Sequence, residues 1–351
     1  MTLHGGANMK FAIMGAGNVG YAISAYLSYK GADVFLYTRQ PEKAQTINKI
    51  GISTTGSIEG TYKVECVTDP AEAINGSDCI IVTTTANAHK DILTKIAPFL
   101  ENNQKILMTN ANWGAFEAKQ ILYKEIQDKN LYVAETSSQL CVASSKEIGS
   151  VNFSLKLGIL LAALEKNKSK LFIDMLKPYF PSISVGKNIL MTTLCSTNPV
   201  IHVPITILNA VRTENGEPYK FYGNGISPLV IRYIEKMDME RVNVAKALNI
   251  EIQSVLDGIN SFWEIKYDNL FDALRKNKVY QKSTGPKDLN YRYISEDIPY
   301  GIAPVYKIGQ LLGVATPYTE TLVRFSSLLM GKDFMTEGVK FNLEELKLAL
   351  N

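Results

Sequence analysis

Apolar and polar positions along this chain follow two rhythms. In the first half, short unbroken apolar runs alternate with stretches whose apolar residues recur three or four apart. The runs lie in Phe11–Met14, Ala32–Tyr37, Cys79–Thr83, Lys105–Thr109 and Leu131–Ala134, with the length and content of buried strands, and Val151–Ile159 is expected to complete the same sheet. The intervening stretches, Tyr21–Leu27, Pro41–Ile50, the segment opened by Asp69-Pro70, Ala88–Leu100 and the stretch ending at Gln127, read as helices. Asp69 suits a helix cap with proline just inside. Gly51 to Thr68, with Gly56 and Gly60 as turn residues, reads as hairpin-like. Strand and helix in alternation predict a doubly wound, mainly parallel sheet, with ligands at the carboxyl ends of its strands.

Near Lys187-Asn188 the pattern changes, and helical spacing dominates to the end. The expected helices are Asn198–Val211, Ser227–Leu248, Ile252–Lys266, Leu270–Lys276, Pro304–Leu312, Tyr318–Leu329 and Leu343–Leu350. The expectation is therefore an α/β protein with domains at 1–188 and 189–351, the second mostly α-helical. Ser283 to Gly301 is the longest irregular stretch, and a loop of that length in a compact domain is usually functional. Internal repeats and low-complexity segments are lacking.

The first apolar run leads into Gly15-Ala16-Gly17-Asn18-Val19-Gly20, then a helix, Gly31 and a second strand. Strand, glycine turn, helix and strand in this order make a Rossmann-type dinucleotide site the expectation. Gly15 permits the tight turn, Gly17 lets the backbone approach a pyrophosphate, and Gly20 lets the helix pack close to the strand. Free N–H groups at the helix start would hold the phosphates. At the end of the second strand a carboxylate would hold the ribose hydroxyls of NAD. Thr38 and Arg39 stand there instead. An arginine fork suits a phosphate that a carboxylate would repel, so NADP is the expected cofactor, with NAD admitted.

Composition narrows the class. At 351 residues, 46% hydrophobic and 20% charged, the chain has the makings of a two-domain globular enzyme or binding protein. The net charge of +3 is small and the cations are scattered, so neither nucleic acid nor membrane is an expected partner. Cys66, Cys79, Cys141 and Cys195 lie far apart. They fit free thiols in a reducing cytoplasm, with no metal site expected. Residues Met1–Asn8 lack the apolar core of a signal peptide, and Met9 offers an alternative start.

Three histidines are present: His4 in the tail, His89 near a helix start, and His202. His202 sits in Asn198-Pro199-Val200-Ile201-His202-Val203-Pro204, among apolar neighbours. By itself such a histidine is more often a satisfied core residue, and Asn198 a helix cap. His89 reads as structural or cofactor-side.

Two motifs change that balance. Asn-Pro-x-x-His at 198–202, running into Ile207-Leu208-Asn209-Ala210, resembles the opine dehydrogenase family. So does Arg292-Tyr293-Ile294-Ser295-Glu296-Asp297-Ile298-Pro299-Tyr300-Gly301, with its Glu-Asp-x-Pro-x-Gly ending. Glu135-Thr136-Ser137-Ser138 and Thr316-Pro317-Tyr318 extend the likeness. The resemblance implies joining of a 2-oxo acid such as pyruvate to the amino group of an amino acid, by way of an imine reduced by NADH or NADPH. It implies His202 as general acid/base, Asp297 as the group orienting its ring, and Arg292 as the anchor of a substrate carboxylate. Asn198 and Thr136 follow as substrate-binding candidates, and a homodimer is kept open as the assembly. Where the family has Asn-Pro-Gly, this chain has Asn110-Ala111-Asn112 followed by Trp113, which leaves the substrate open. The alternatives are a ketopantoate reductase-like or hydroxy-acid reductase, and a catalytically silent NADP-binding sensor. The first usually relies on a lysine, which no second-domain motif supplies; the second would not need His202, Arg292 and Asp297 together.

Overall fold

The structure, a computed structural model, describes residues 8–350; the expectations about the tail and His4 fall outside the described residues. The chain divides into two compact units. The first runs to Val185, apart from Thr85–Asn87 and Ala111–Trp113, which belong with Gly186 onward in the second.

In the first unit the strands are β1 (Lys10–Met14), β2 (Asp33–Tyr37), β3 (Ile52–Gly56), β4 (Gly60–Tyr62), β5 (Glu65–Val67), β6 (Cys79–Val82), β7 (Lys105–Met108), β8 (Tyr132–Thr136), β9 (Cys141–Ser144), β10 (Ser150–Leu155), β11 (Leu160–Ala163) and β12 (Ser184–Val185). The helices are α1 (Asn18–Tyr29), α2 (Pro41–Ile50), α3 (Pro70–Ile74), α4 (His89–Ile96), α5 (Gly114–Ile121), α6 (Tyr123–Asp128) and α7 (Ser169–Leu176). Eight strands form one sheet in the order β12-β11-β8-β7-β6-β1-β2-β5. It is parallel except where β11 runs against β8, Leu161 opposite Thr136. Phe11–Met14 and Cys79–Val82 are wholly buried, because helices cover both faces of a parallel sheet and every side chain needs an apolar neighbour. The strand order reverses between β1 and β6, where such sheets bind ligands.

One expected member of this sheet lies elsewhere. Val151–Ile159 was expected to complete it, but β10 joins a second sheet, β4-β3-β10-β9, which packs on α1. Val151 and Phe153 are buried while Asn152 is exposed. That alternation marks a strand with one wet face, unlike the continuous runs of the main sheet. Gly56 takes φ +104° where a Cβ would meet the Phe153 carbonyl, so β3 can lie directly against β10. With the small sheet over it, α1 is buried from Gly20 to Leu27.

The second unit is helical: α8 (Ile189–Leu194), α9 (Asn198–Leu208), α10 (Ala210–Glu214), α11 (Pro228–Ala247), α12 (Val255–Trp263), α13 (Leu270–Lys276), α14 (Arg292–Ser295), α15 (Ala303–Leu312), α16 (Pro317–Met330) and α17 (Leu343–Leu348). The expected helix Asn198–Val211 breaks at Asn209. The Asn209 side-chain amide donates to the carbonyls of Ile205 and Gly225, both within 2.9 Å, and so competes with the helix ladder. The core gathers Val200, Val203, Phe221, Ile234, Ile298 and Val323. Arg241, 1% exposed, pairs with Asp238 at 2.6 Å and donates to the carbonyls of Leu194 and Gln253. A buried charge is tolerated when it is paired and hydrogen-bonded in this way. Ser283–Gly301 is not structureless: it contains α14 and a π-helical turn at Ile298–Ile302. Among the described residues no helix is long and apolar enough to cross a membrane, and no cluster of metal-ligating side chains is present.

Candidate active site

The glycine turn leaves β1 and enters α1 with each glycine doing separate work. Gly15 has φ +129°, and a Cβ on Gly20 would stand 1.8 Å from the Gly15 carbonyl oxygen, so only glycine lets the helix start so close to the turn. A Cβ on Gly17 would meet nothing within 4 Å. Gly17 and Asn18 are exposed, and Gly17 caps α1 without any side-chain bond. The space and the uncapped N–H groups fit a pyrophosphate. From β6, Thr83 donates its hydroxyl to the Gly15 carbonyl at 3.0 Å and fixes the turn. Ala16 is buried and Val19 half-buried within it.

Beyond β2, Thr38 is buried and its hydroxyl accepts the Gln40 N–H. Arg39 is exposed, 3.7 Å from Asp91, which is exposed too, a pairing that solvent makes cheap to exchange. Lys43, in the first turn of α2, reaches back to donate to the Ala16 carbonyl at 3.3 Å. Arg39 and Lys43 thus put two cations on the segment that follows β2, with Glu42 between them and no acid at positions 38 and 39.

The second cluster is built by the interlocking of the two motifs. Helix α9 carries Pro199 in its first turn, where a missing N–H costs nothing, and His202 one turn later. Opposite, Asp297 opens the π-helical turn, whose Ile302 N–H reaches five residues back to the Asp297 carbonyl at 3.0 Å. A Cβ on Gly301 would lie 2.3 Å from the Cβ of Pro199, so glycine there lets the turn seat on the helix. Pro199 against Gly301 and His202 against Asp297 set the register. His202 Nδ1 then lies 2.7 Å from Asp297 Oδ2, with both residues no more than 5% exposed. His202 Nε2 lies 3.1 Å from the Tyr222 hydroxyl. The Tyr293 ring covers the imidazole at 4.1 Å, and Phe221 meets it edge-on at 5.9 Å.

Arg292 begins α14 half-buried, its guanidinium 3.3 Å from Glu296. Burial alone works against that charge, but Glu296 and then Asp297 outweigh it, and Arg292 is held more firmly cationic than usual. Glu296, wholly buried, also accepts the Ala86 N–H at 3.0 Å. Next to α9, Asn112, Trp113, Thr193, Ser196, Pro199 and Tyr300 line a small depression. Its loop is unusual: Asn110, Ala111, Asn112 and Trp113 all have positive φ, at 87°, 46°, 49° and 66°, a conformation side chains other than glycine resist.

Comparison with known proteins bears on this arrangement. The family model described as NAD/NADP octopine/nopaline dehydrogenase, alpha-helical domain, matches residues 185–330, and that for ketopantoate reductase matches 11–152. An opine dehydrogenase of Arthrobacter sp. (strain 1C) is 31% identical over 344 residues, spanning 97% of this chain and 95% of its own. The chain belongs to the opine dehydrogenase family. It is an oxidoreductase of the type that uses a nicotinamide cofactor to condense a 2-oxo acid reductively with the amino group of an amino acid. A solved octopine dehydrogenase with NADH and L-arginine superposes with TM-score 0.75 at 18% identity, covering 97% of this chain and 96% of that one. A yersinopine dehydrogenase with NADP+ bound has TM-score 0.70 at 14% identity, covering 98% and 97%.

Within this opine dehydrogenase fold the structure brings together His202, Asp297 and Arg292, and separately Gly15–Gly20, Thr38 and Arg39. Asn198 is the first residue of α9, and the cap position belongs to Thr197, so its expected capping role is not met. Thr136 is wholly buried; its hydroxyl donates to the Ser138 carbonyl at 2.8 Å and accepts the Asn110 N–H at 3.3 Å. It thereby ties the strand end to the left-handed loop. His89 is buried against Glu117 at 2.9 Å, joining α4 to α5. Sequence reasoning missed Tyr222, Lys43 and Thr83, and gave Glu296 no role beyond its place in the motif. Lys43 was findable, one helical turn from Arg39; Tyr222 lies in an irregular segment, held by pairing of Tyr219–Phe221 with Ser283–Gly285, and no spacing signals it.

Proposed function

We propose that this opine dehydrogenase prefers NADPH and uses His202 as its general acid/base, with Asp297 orienting the ring and Arg292 anchoring the carboxylate of a pyruvate-like 2-oxo acid. The carrying observation is the buried bond of 2.7 Å between His202 Nδ1 and Asp297, five residues beyond Arg292. A carboxylate on Nδ1 fixes that nitrogen as the donor and leaves Nε2 to exchange protons, as in catalytic triads. When the amine adds to the ketone, a carbinolamine forms. A proton from the imidazolium lets its hydroxyl leave as water and yields the protonated imine. NADPH, when bound, supplies the hydride that reduces the imine. Arg292 keeps donors beyond its bond to Glu296, in the fork geometry that suits a carboxylate. Asn198, at the start of α9, is a candidate contact for the amino acid, and Thr136 supports the loop at Asn110. A homodimer and a cytoplasmic location are part of the same proposal.

Arg39, Lys43 and the lack of an acid at positions 38 and 39 support the choice of NADPH. The test is a panel of amino acids with pyruvate, 2-oxoglutarate and oxaloacetate, followed by NADPH absorbance. Turnover should need both an oxo acid and an amine, and Arg39→Asp should weaken NADPH about ten- to a hundredfold, the worth of one charge-assisted contact. Fast reduction of a ketone without amine would overturn the reaction assignment, and equal use of NADH by the wild type would overturn the cofactor assignment.

A further inference from the structure

We propose that Tyr222 is the relay through which His202 exchanges its proton. The inference rests on His202 as the acid/base. Asp297 occupies Nδ1, so the exchanged proton resides on Nε2, and the oxygen standing at Nε2 is the Tyr222 hydroxyl, 3.1 Å away. Tyr293 and Phe221 wall the imidazole. Tyr280 packs on the Tyr222 ring at 4.9 Å and is itself held by the Trp263 indole N–H at 3.0 Å. A phenol suits this post because its O–H donates to neutral imidazole and its lone pair accepts from imidazolium.

The step balances without any further reactant. As the carbinolamine C–O bond breaks, the Tyr222 O–H bond breaks and its proton passes to the departing oxygen, completing water. The Nε2–H proton moves to the phenol oxygen in the same motion. The nitrogen lone pair of the carbinolamine closes the C=N bond, and the iminium so formed carries the positive charge that leaves the imidazolium. Imidazolium becomes imidazole, and Tyr222 is a neutral phenol before and after. Burial, with Tyr293 and Tyr280 adding to it, pushes the Tyr222 hydroxyl well above its ordinary range. A phenolate is thereby disfavoured, as a relay that never stores charge requires. Asp297 and Arg292 are the charged groups facing it.

The test is Y222F, measured for kcat, for the solvent-isotope proton inventory, and for the nitrogen shifts of 15N-labelled His202. The relay requires kcat to fall roughly ten- to a hundredfold, within the range of lost proton-transfer assistance, while the KM values stay within about twofold. The inventory should change from curved, with two protons in flight, to linear, and the Nε2 shift should move. Wild-type kcat, or a curved inventory kept in Y222F, would overturn the relay, as would an unmoved Nε2 shift. Should Y222F fail to fold, 3-fluorotyrosine placed at 222 keeps the bond and acidifies the donor. It should change kcat several-fold by Brønsted behaviour, and no change would overturn the proposal. A wild type inactive with every pair of oxo acid and amine would instead remove the acid/base role of His202, while the nitrogen shift would still decide the Tyr222 bond.

Discussion

Gly301→Ala adds one methyl where the two motifs of the candidate site touch. The backbone of Gly301 lies in the ordinary helical range, so the substitution carries no conformational penalty and its effect is steric. The new Cβ would fall 2.3 Å from Pro199 Cβ and 2.4 Å from Pro199 Cγ, where ordinary contact begins at 3.4 Å. A proline ring at the start of a packed helix has no rotamer to escape into, so α9 and the π-helical turn must part by about 1 Å, a displacement that can cost about a hundredfold in rate. The His202–Asp297 bond spans the same seam at 2.7 Å and would lengthen beyond useful hydrogen-bond range. Overpacking of this kind costs about 1–3 kcal/mol, a fall of roughly 2–12 °C in the melting temperature of a unit this size. The assay is kcat with saturating substrates, together with thermal unfolding and NADPH titration. We expect kcat to fall about a hundredfold and NADPH affinity to hold. A variant that melts earlier yet turns over at the wild-type rate would refute the claim that this contact sets the dyad.

His202→Asn should lower kcat about a hundred- to ten-thousandfold with NADPH affinity intact, and Asp297→Asn should lower it too; unchanged kcat in either, from steady-state rates, would remove that residue from the mechanism. Arg292→Ala should chiefly raise the KM of the oxo acid, because it removes an anchor and leaves the proton path in place; a fall in kcat alone would contradict this. Burial pushes the thiol of Cys66 up to about 11 and that of Cys141 to about 12, and raises Cys79 and Cys195 as well. At pH 8 a thiol at about 11 is ionised to roughly one part in a thousand, so a disulfide reagent should modify the buried Cys66, Cys79 and Cys141 of the native protein slowly and all four cysteines rapidly once it unfolds. Rapid labelling of Cys66, Cys79 or Cys141 in the native protein would contradict their burial.

The parallel sheet was legible because its strands are continuous apolar runs and its glycine turn has a fixed grammar. Each of those glycines occupies the place its chemistry demands, from the positive φ of Gly15 to the tight seat of Gly20. The second sheet was less legible because its strands pair across the sequence: Ser150 lies opposite Ser53, and nothing local to either records the other. The same limit applies to the candidate site. His202 and Asp297 stood out through their motifs, which carry Pro199 and Gly301 along with them. Tyr222 has no motif, and its position depends on a short pairing with Ser283–Gly285 that only the folded chain displays. Asn209 shows a smaller failure, since a side chain that competes with the helix ladder leaves the apolar period untouched.

The left-handed run at Asn110–Trp113 narrows what this lineage can become. Four successive residues hold positive φ, so chirality, ahead of any contact, decides which substitutions the loop accepts. β-Branched residues and proline are barred from these posts by their own covalent geometry, and asparagine, aspartate and glycine are favoured. Asn112 and Trp113 are also walls of the depression beside α9. Divergence at those walls must draw on a short alphabet of polar or minimal side chains, whatever molecule the depression meets. Trp113 is the exception already in place, and its replacement by valine or isoleucine would be opposed by the main chain before the pocket had any say.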